Sequence, residues 1–130
     1  DASDGHHNLT HNETGDQPEV HDITLQVMDE LAYFLEALRA VPEGEGNLLE
    51  NSIVLACSET SEGRTHSLDE MPIIIAGGAG RIQMGQHYRS YTQESASKVM
   101  LSLIRAMDVP AASFGADEAE ATDGLSDIEI

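Results

Sequence analysis

A mixed α/β architecture is what this sequence predicts, and three observations predict it. Two short apolar runs, 52–57 and 72–76, have the length and β-branched content of buried strands. Two longer stretches, at about 19–40 and 93–107, repeat apolar residues at intervals of three and four. The whole chain is 130 residues with 40% hydrophobic composition, the length of one domain.

The elements follow in chain order. Residues 1–22 are polar and hold His6, His7, His11 and His21, four of the six histidines. Ile23, Val27, Met28, Leu31, Phe34, Leu35 and Leu38 then form one apolar helical face, with Asp16 or Asp22 as candidate N-cap. Val41-Pro42-Glu43-Gly44 stops this helix, because the residue before a proline is pushed out of the helical region. Ser52-Ile53-Val54-Leu55-Ala56-Cys57 reads as a buried strand, which makes Cys57 a small buried hydrophobe. Ser58–Asp69 is a polar loop, long enough to favour a functional role. Pro72-Ile73-Ile74-Ile75-Ala76 is a second strand, closed by Gly77-Gly78-Ala79-Gly80. That run lacks the Lys-Ser/Thr of a phosphate loop, so it reads as a turn that needs glycine dihedrals. In the last helix Ala96, Val99, Met100, Leu103, Ile104 and Met107 share a face, with Thr92 as N-cap and Glu94 in the first turn. Residues 1–115 are expected to form the α/β domain, and 116–130, with six acids and no base, a loosely held acidic tail.

Unbroken apolar strands call for a sheet covered on both faces, and two helices cannot provide that cover. The chain is therefore expected to pack against a preceding segment or other protein chains. It opens at Asp1 rather than Met and shows no signal peptide, so it reads as a processed form or a fragment. The net charge of −18 excludes binding of nucleic acid through a basic patch and argues against docking on anionic lipid. Its longest apolar stretches are too short for a membrane span. A lone cysteine leaves neither an internal disulfide nor a Cys-rich zinc knuckle.

Two segments carry candidate chemistry. In Gly5-His6-His7-Asn8-Leu9-Thr10-His11-Asn12, a helix would place His7 and His11 on one face, and neutral imidazoles bind transition metals well. A solvated histidine-rich segment is an equal alternative. Asn8-Leu9-Thr10 and Asn12-Glu13-Thr14 match the glycosylation sequon, a pattern common by chance. In Ser58-Glu59-Thr60-Ser61-Glu62-Gly63-Arg64-Thr65-His66, Glu59 stands at the end of a strand and His66 seven residues on, a reasonable pair of metal ligands. Arg64 either neutralises an anionic substrate or pairs with Glu62. The competing reading is a polar connecting loop.

Taken together, His7-Asn8-Leu9-Thr10-His11-Asn12, the strand–loop–strand from Ile53 to Gly80, Gly85-Gln86-His87 and the last helix resemble the C-terminal part of a bacterial family of unknown function. That family is known by an H-x-x-S-H-H motif. Thr10 stands for its Ser and Asn12 for its last His; His66-Ser67-Leu68 keeps only the first histidine of a His-x-His. Met71-Pro72-Ile73-Ile74-Ile75-Ala76-Gly77-Gly78 and Ser113-Phe114-Gly115 match the family's strand and ending. The resemblance implies a partial alkaline-phosphatase-like sheet with flanking helices, in an extracytoplasmic bacterial protein, periplasmic or secreted. It also implies a divalent metal such as zinc, calcium or manganese, with Glu59 at a strand end, His66 in the loop after it, and His7 and His11 of the motif segment as its ligands. Two functions compete. One is a metal-dependent hydrolase of phosphate or sulfate esters. The other is a non-catalytic extracellular structural or assembly component that keeps the fold.

Overall fold

Gly5 and Pro18 open the first two helices, and the computed structural model describes residues 2–130. The order is α1 (His6–Asn12), α2 (Pro18–Arg39), β1 (Pro42–Glu43), β2 (Gly46–Asn47), β3 (Ile53–Cys57), β4 (Ile73–Gly77), α3 (Ala96–Ala106) and a 3-10 turn at Asp117–Ala119. The fold is mixed α/β, with two antiparallel two-stranded sheets, β1–β2 and β3–β4. The two expected strands are neighbours, in a register that sets Leu55 opposite Ile75 and Cys57 opposite Ile73.

Helix ends show how local chemistry overrides simple spacing. Gln17, in a left-handed conformation, is the N-cap of α2, rather than Asp16 or Asp22. The cap oxygens come from Glu13, whose carboxylate accepts from the backbone N–H of Glu19 at 2.9 Å and of Val20 at 3.0 Å. The turn after α1 brings that carboxylate over the positive end of α2, which satisfies two orphan donors at once. Ser95, not Thr92, caps α3, accepting from Ser97 N–H at 3.2 Å.

The core lies between α3 and the C-terminal segment. Ile82, Leu103, Ala106, Leu125 and Ile128 form one buried cluster, with Ile53, Ile75, Tyr88 and Val99 packed against it. The acidic segment after residue 115 is therefore no loose tail. Ala121, Leu125 and Ile128 are buried, Leu125 N–H donates to the buried Ser102 hydroxyl at 2.8 Å, and that hydroxyl donates to Glu129 at 2.6 Å. Three apolar residues among its acids point inward, and Glu129 turns back to the core hydroxyl, a pattern that charge counting hides. Gly77 and Gly78 have φ of 90° and 104°, and a side chain on Gly77 would meet the backbone carbonyls of Leu49 and Ser52. The glycine run is the turn expected of it.

Cover is thin elsewhere. No residue of β3 or β4 is fully buried, and Ile74 is 42% exposed. Cys57 is exposed at the strand end, and Met107 is exposed at the C-cap of α3, both contrary to the core positions expected of them. The two-sided apolar character of the strands meets a sheet of two strands only, which leaves area open. Helix α2 buries no residue over 22 positions, and Val27 and Phe34 on its apolar stripe are about half exposed. A cleft of about 1430 Å³ lies beside the core, with Ile73, Ile75, Val99, Leu125 and Ile128 among its lining. No helix among the described residues is long and apolar enough to cross a membrane.

Two outcomes follow from this distribution of burial. A helix with thin tertiary cover takes most of its stability from its own propensity rather than from packing of an apolar face, and opens more readily than a buried one. In hydrogen exchange on the chain by itself, α2 amides are expected to exchange on the order of tenfold or more faster than those of Leu101–Ala106. Equal protection would show that α2 is held by contacts the fold lacks.

The second outcome concerns Glu94, which accepts from the Tyr88 hydroxyl at 2.6 Å and from Lys98 at 3.3 Å, while Lys98 also reaches Asp123 at 2.8 Å. The Tyr88 hydrogen bond, and then Lys98, hold the Glu94 carboxyl below the usual carboxylate range against a smaller opposing effect of burial. A group whose folded value lies below its unfolded one stabilises the fold above the unfolded value, and that contribution fades as pH falls through the folded one. Glu94→Gln is expected to reduce α3 amide protection at pH 7, with the gap to wild type closing below the usual carboxylate range. A gap of the same size at pH 3 would refute this.

Candidate metal centre

The loop after β3 is pinched at its base. Ser67 C=O accepts from the Ser61 N–H at 2.8 Å and from the Ser61 hydroxyl at 2.9 Å, and Glu62 and Ser67 form an isolated antiparallel bridge. Thr65 Oγ1 donates to the Glu62 carboxylate across the tip. The pinch projects Gly63, Arg64 and His66 from the sheet onto α1.

Three contacts seat the tip. Gly63 lies so close to Thr10 that a Cβ there would sit 2.6 Å from the Thr10 Cβ and Oγ1. Arg64 Nε donates to His11 C=O at 3.3 Å and its Nη2 to Glu13 C=O at 2.8 Å. The His66 and His11 Nε2 atoms face each other at 3.2 Å. His66 holds a left-handed backbone, φ 55°, which costs a non-glycine residue roughly 1–2 kcal/mol. That strain is held by the contacts on either side of it.

Helix α1 supplies the rest. Leu9 is its buried residue, and it turns the opposite positions outward. His7 and His11, one helical turn apart, meet edge to face with centroids 4.8 Å apart; His11 and His66 do the same at 5.0 Å. His11 is half-buried between the other two, which are exposed to solvent. Of the four residues singled out from the sequence, the structure gathers His7, His11 and His66. Glu59 stands exposed at the start of the loop, and among the described residues no three His, Cys, Asp or Glu side chains are placed to hold a metal ion together.

The donor chemistry nevertheless fits part of a metal site. Two ligands on a tetrahedral zinc at a bond length of about 2.05 Å lie about 3.3 Å apart. The His11–His66 separation of 3.2 Å matches that spacing. Without an ion, one ring must donate its Nε2–H to the other; to offer both Nε2 lone pairs to an ion, the donor ring would carry its proton on Nδ1 instead. His7 stands beside His11, with ring centroids 4.8 Å apart. Imidazole donors suit zinc better than calcium or manganese, which prefer oxygen.

Arg64 is the residue whose role the sequence hid. Both candidate roles gave its charge a charged partner, whereas its guanidinium is taken up by backbone carbonyls at the end of α1. Only tertiary folding brings residue 64 to residues 11 and 13, so no local pattern signals it. The large cleft by the core lies elsewhere, and none of the three imidazoles lines it. Comparison with protein-family models, with curated proteins and with solved structures finds no match.

Because a Cβ at residue 63 must displace Thr10 or the loop, Gly63→Ala is expected to separate the His11 and His66 rings. Imidazole NMR of the metal-free chain would show it as loss of the cross-ring contact. Retention of that contact would mean that the loop approaches α1 without needing glycine.

Proposed function

We propose that this chain binds a divalent transition metal, zinc by preference, through His11 and His66 with His7 beside them. We further propose that the site belongs to a metal-dependent hydrolase of phosphate or sulfate esters. The observation that supports the first step is the pair of facing Nε2 atoms at the separation two tetrahedral ligands require. Bound there, the metal would act as a Lewis acid and activate a nucleophile. His11 and His66 would hold it, and the solvent-exposed faces of His7 and His66 leave room for a substrate oxygen.

The finer reading rests on the resemblance of the motif and strand segments to the H-x-x-S-H-H family. On that reading the sheet is part of an alkaline-phosphatase-like fold, carried by an extracytoplasmic bacterial protein. The uncovered stripe of α2, the exposed Ile74 and the cleft beside the core favour further protein packing against this chain, from a preceding segment or from other chains. That partner would supply the nucleophile and the missing ligands.

A non-catalytic assembly component is the second reading, and two observations favour it. Asn12 and Leu68 stand where the family carries histidines, and Arg64 is bonded to backbone carbonyls rather than free to meet an anion. A net charge of −18 also repels anionic esters unless a metal reverses the local sign.

Titration with zinc or cobalt(II) tests the first step. Wild type is expected to bind one ion. His11→Ala and His66→Ala should each weaken binding on the order of tenfold or more, and His7→Ala less. Binding that is absent in wild type, or unchanged in His11→Ala and His66→Ala, would defeat the metal reading. Metal bound in the full protein without turnover of phosphate or sulfate monoesters would assign the non-catalytic role.

A further inference from the structure

We propose that Arg64 is the positioning residue of this site: its grip on the end of α1 presents His66 to His11. The inference rests on the metal reading for its consequence, though its geometry stands without an ion. His66 belongs to a loop more than fifty positions from His11 in the chain, so the ring pair exists only if that loop is docked on α1. Two residues before His66, the Arg64 guanidinium reaches two carbonyls that belong to one helix end, His11 C=O and Glu13 C=O.

Those carbonyls are where a helix leaves acceptors unsatisfied, and a cation is favoured there by the helix dipole as well as by hydrogen bonding. The acceptors are spaced for a fork. Nε and Nη2 form one edge of a rigid plane, and each meets its own oxygen, which a lysine ammonium at the end of a flexible stem cannot reproduce with equal definition. One of the two acceptors is the backbone of His11 itself. The same contact therefore orients both members of the pair: it anchors the residue that carries one imidazole and fixes the loop that carries the other. The close approach of Gly63 to Thr10 sits on the other side of Arg64 and limits sliding of the loop along α1. His66, held at φ 55°, is the residue that pays the conformational cost of this placement, so it relaxes when the grip is lost.

The test uses the whole chain with Arg64→Ala and Arg64→Lys. The first measurement is the contact between the His11 and His66 rings by NMR in metal-free protein; the second is zinc or cobalt(II) affinity. Amide protection of α3 serves as the check on folding. Arg64→Ala is expected to lose the ring contact and, with α3 protection unchanged, to weaken metal binding on the order of 10–100-fold, the range seen when groups orienting a ligand are removed. Arg64→Lys should keep part of both. The proposal is overturned if Arg64→Ala keeps the ring contact, or if wild type lacks it. Loss of α3 protection in both variants also overturns it, since Arg64 would then hold the fold rather than the pair. If wild type shows the ring contact but binds no metal, the metal reading falls while the NMR comparison still decides the role of Arg64.

Discussion

Leu125 and Ile128 fold back onto α3, and the rest of the molecule is organised around that burial. Together with Ile82, Leu103 and Ala106 they form the cluster against which Ile53 and Ile75 of the β3–β4 sheet are packed. The sheet in turn fixes where the loop from Ser58 to Asp69 leaves and returns, and that loop carries Arg64 and His66. Removing apolar area of this kind from water contributes about 25 cal/mol per Å², and few other residues in the chain contribute it. Ser102 shows the precision of the packing. It is fully buried, yet its hydroxyl is satisfied on both sides by Leu125 N–H and Glu129.

Scarcity of positive charge shapes the remainder. Against 24 acids there are six cations, and surface ion pairs between exposed side chains stabilise little. Arg81–Asp108 and Arg89–Glu70 are of that kind, with both partners about half exposed or more. The more consequential arginines bind backbone instead. Arg105, in the last turn of α3, donates to the carbonyls of Ala111, Ala112 and Thr122 and so ties the C-terminal segment to the helix. Arg64 does the same between the loop and α1. A planar guanidinium can hold two or three carbonyls whose positions are already set.

The site follows from these two levels of constraint. Helical spacing puts His7 and His11 side by side, with Leu9 turned inward to keep that face outward. Loop docking adds His66. The result is an imidazole cluster at the surface, where solvent and a further chain both have access, and where the uncovered stripe of α2 lies next in sequence. On the proposed metal reading the ligand set is incomplete, so the open faces of α2 and of the sheet bear on that proposal as well as on stability.

Periodicity and composition determined much by themselves. The apolar spacing of 19–40 gave a helix within one residue of Pro18–Arg39, and the two β-branched runs gave paired strands, because both signals depend only on neighbours in the chain. The i,i+4 placement of His7 and His11 was legible for the same reason, as was the glycine requirement after β4. Tertiary structure alone decided the rest. Asp16 and Asp22 lost the cap of α2 to Glu13, whose carboxylate arrives through a turn. Residues 116–130 became core rather than tail because three apolar positions among the acids meet α3. Cys57 and Met107 stayed exposed because each sits at the end of its element, the last residue of β3 and the C-cap of α3, beyond the buried cluster. Glu59 and His66 had equal standing in the sequence, and only the docking of the loop tip through Arg64 separated them: contact between residues fifty positions apart is a property of packing, which local spacing does not encode.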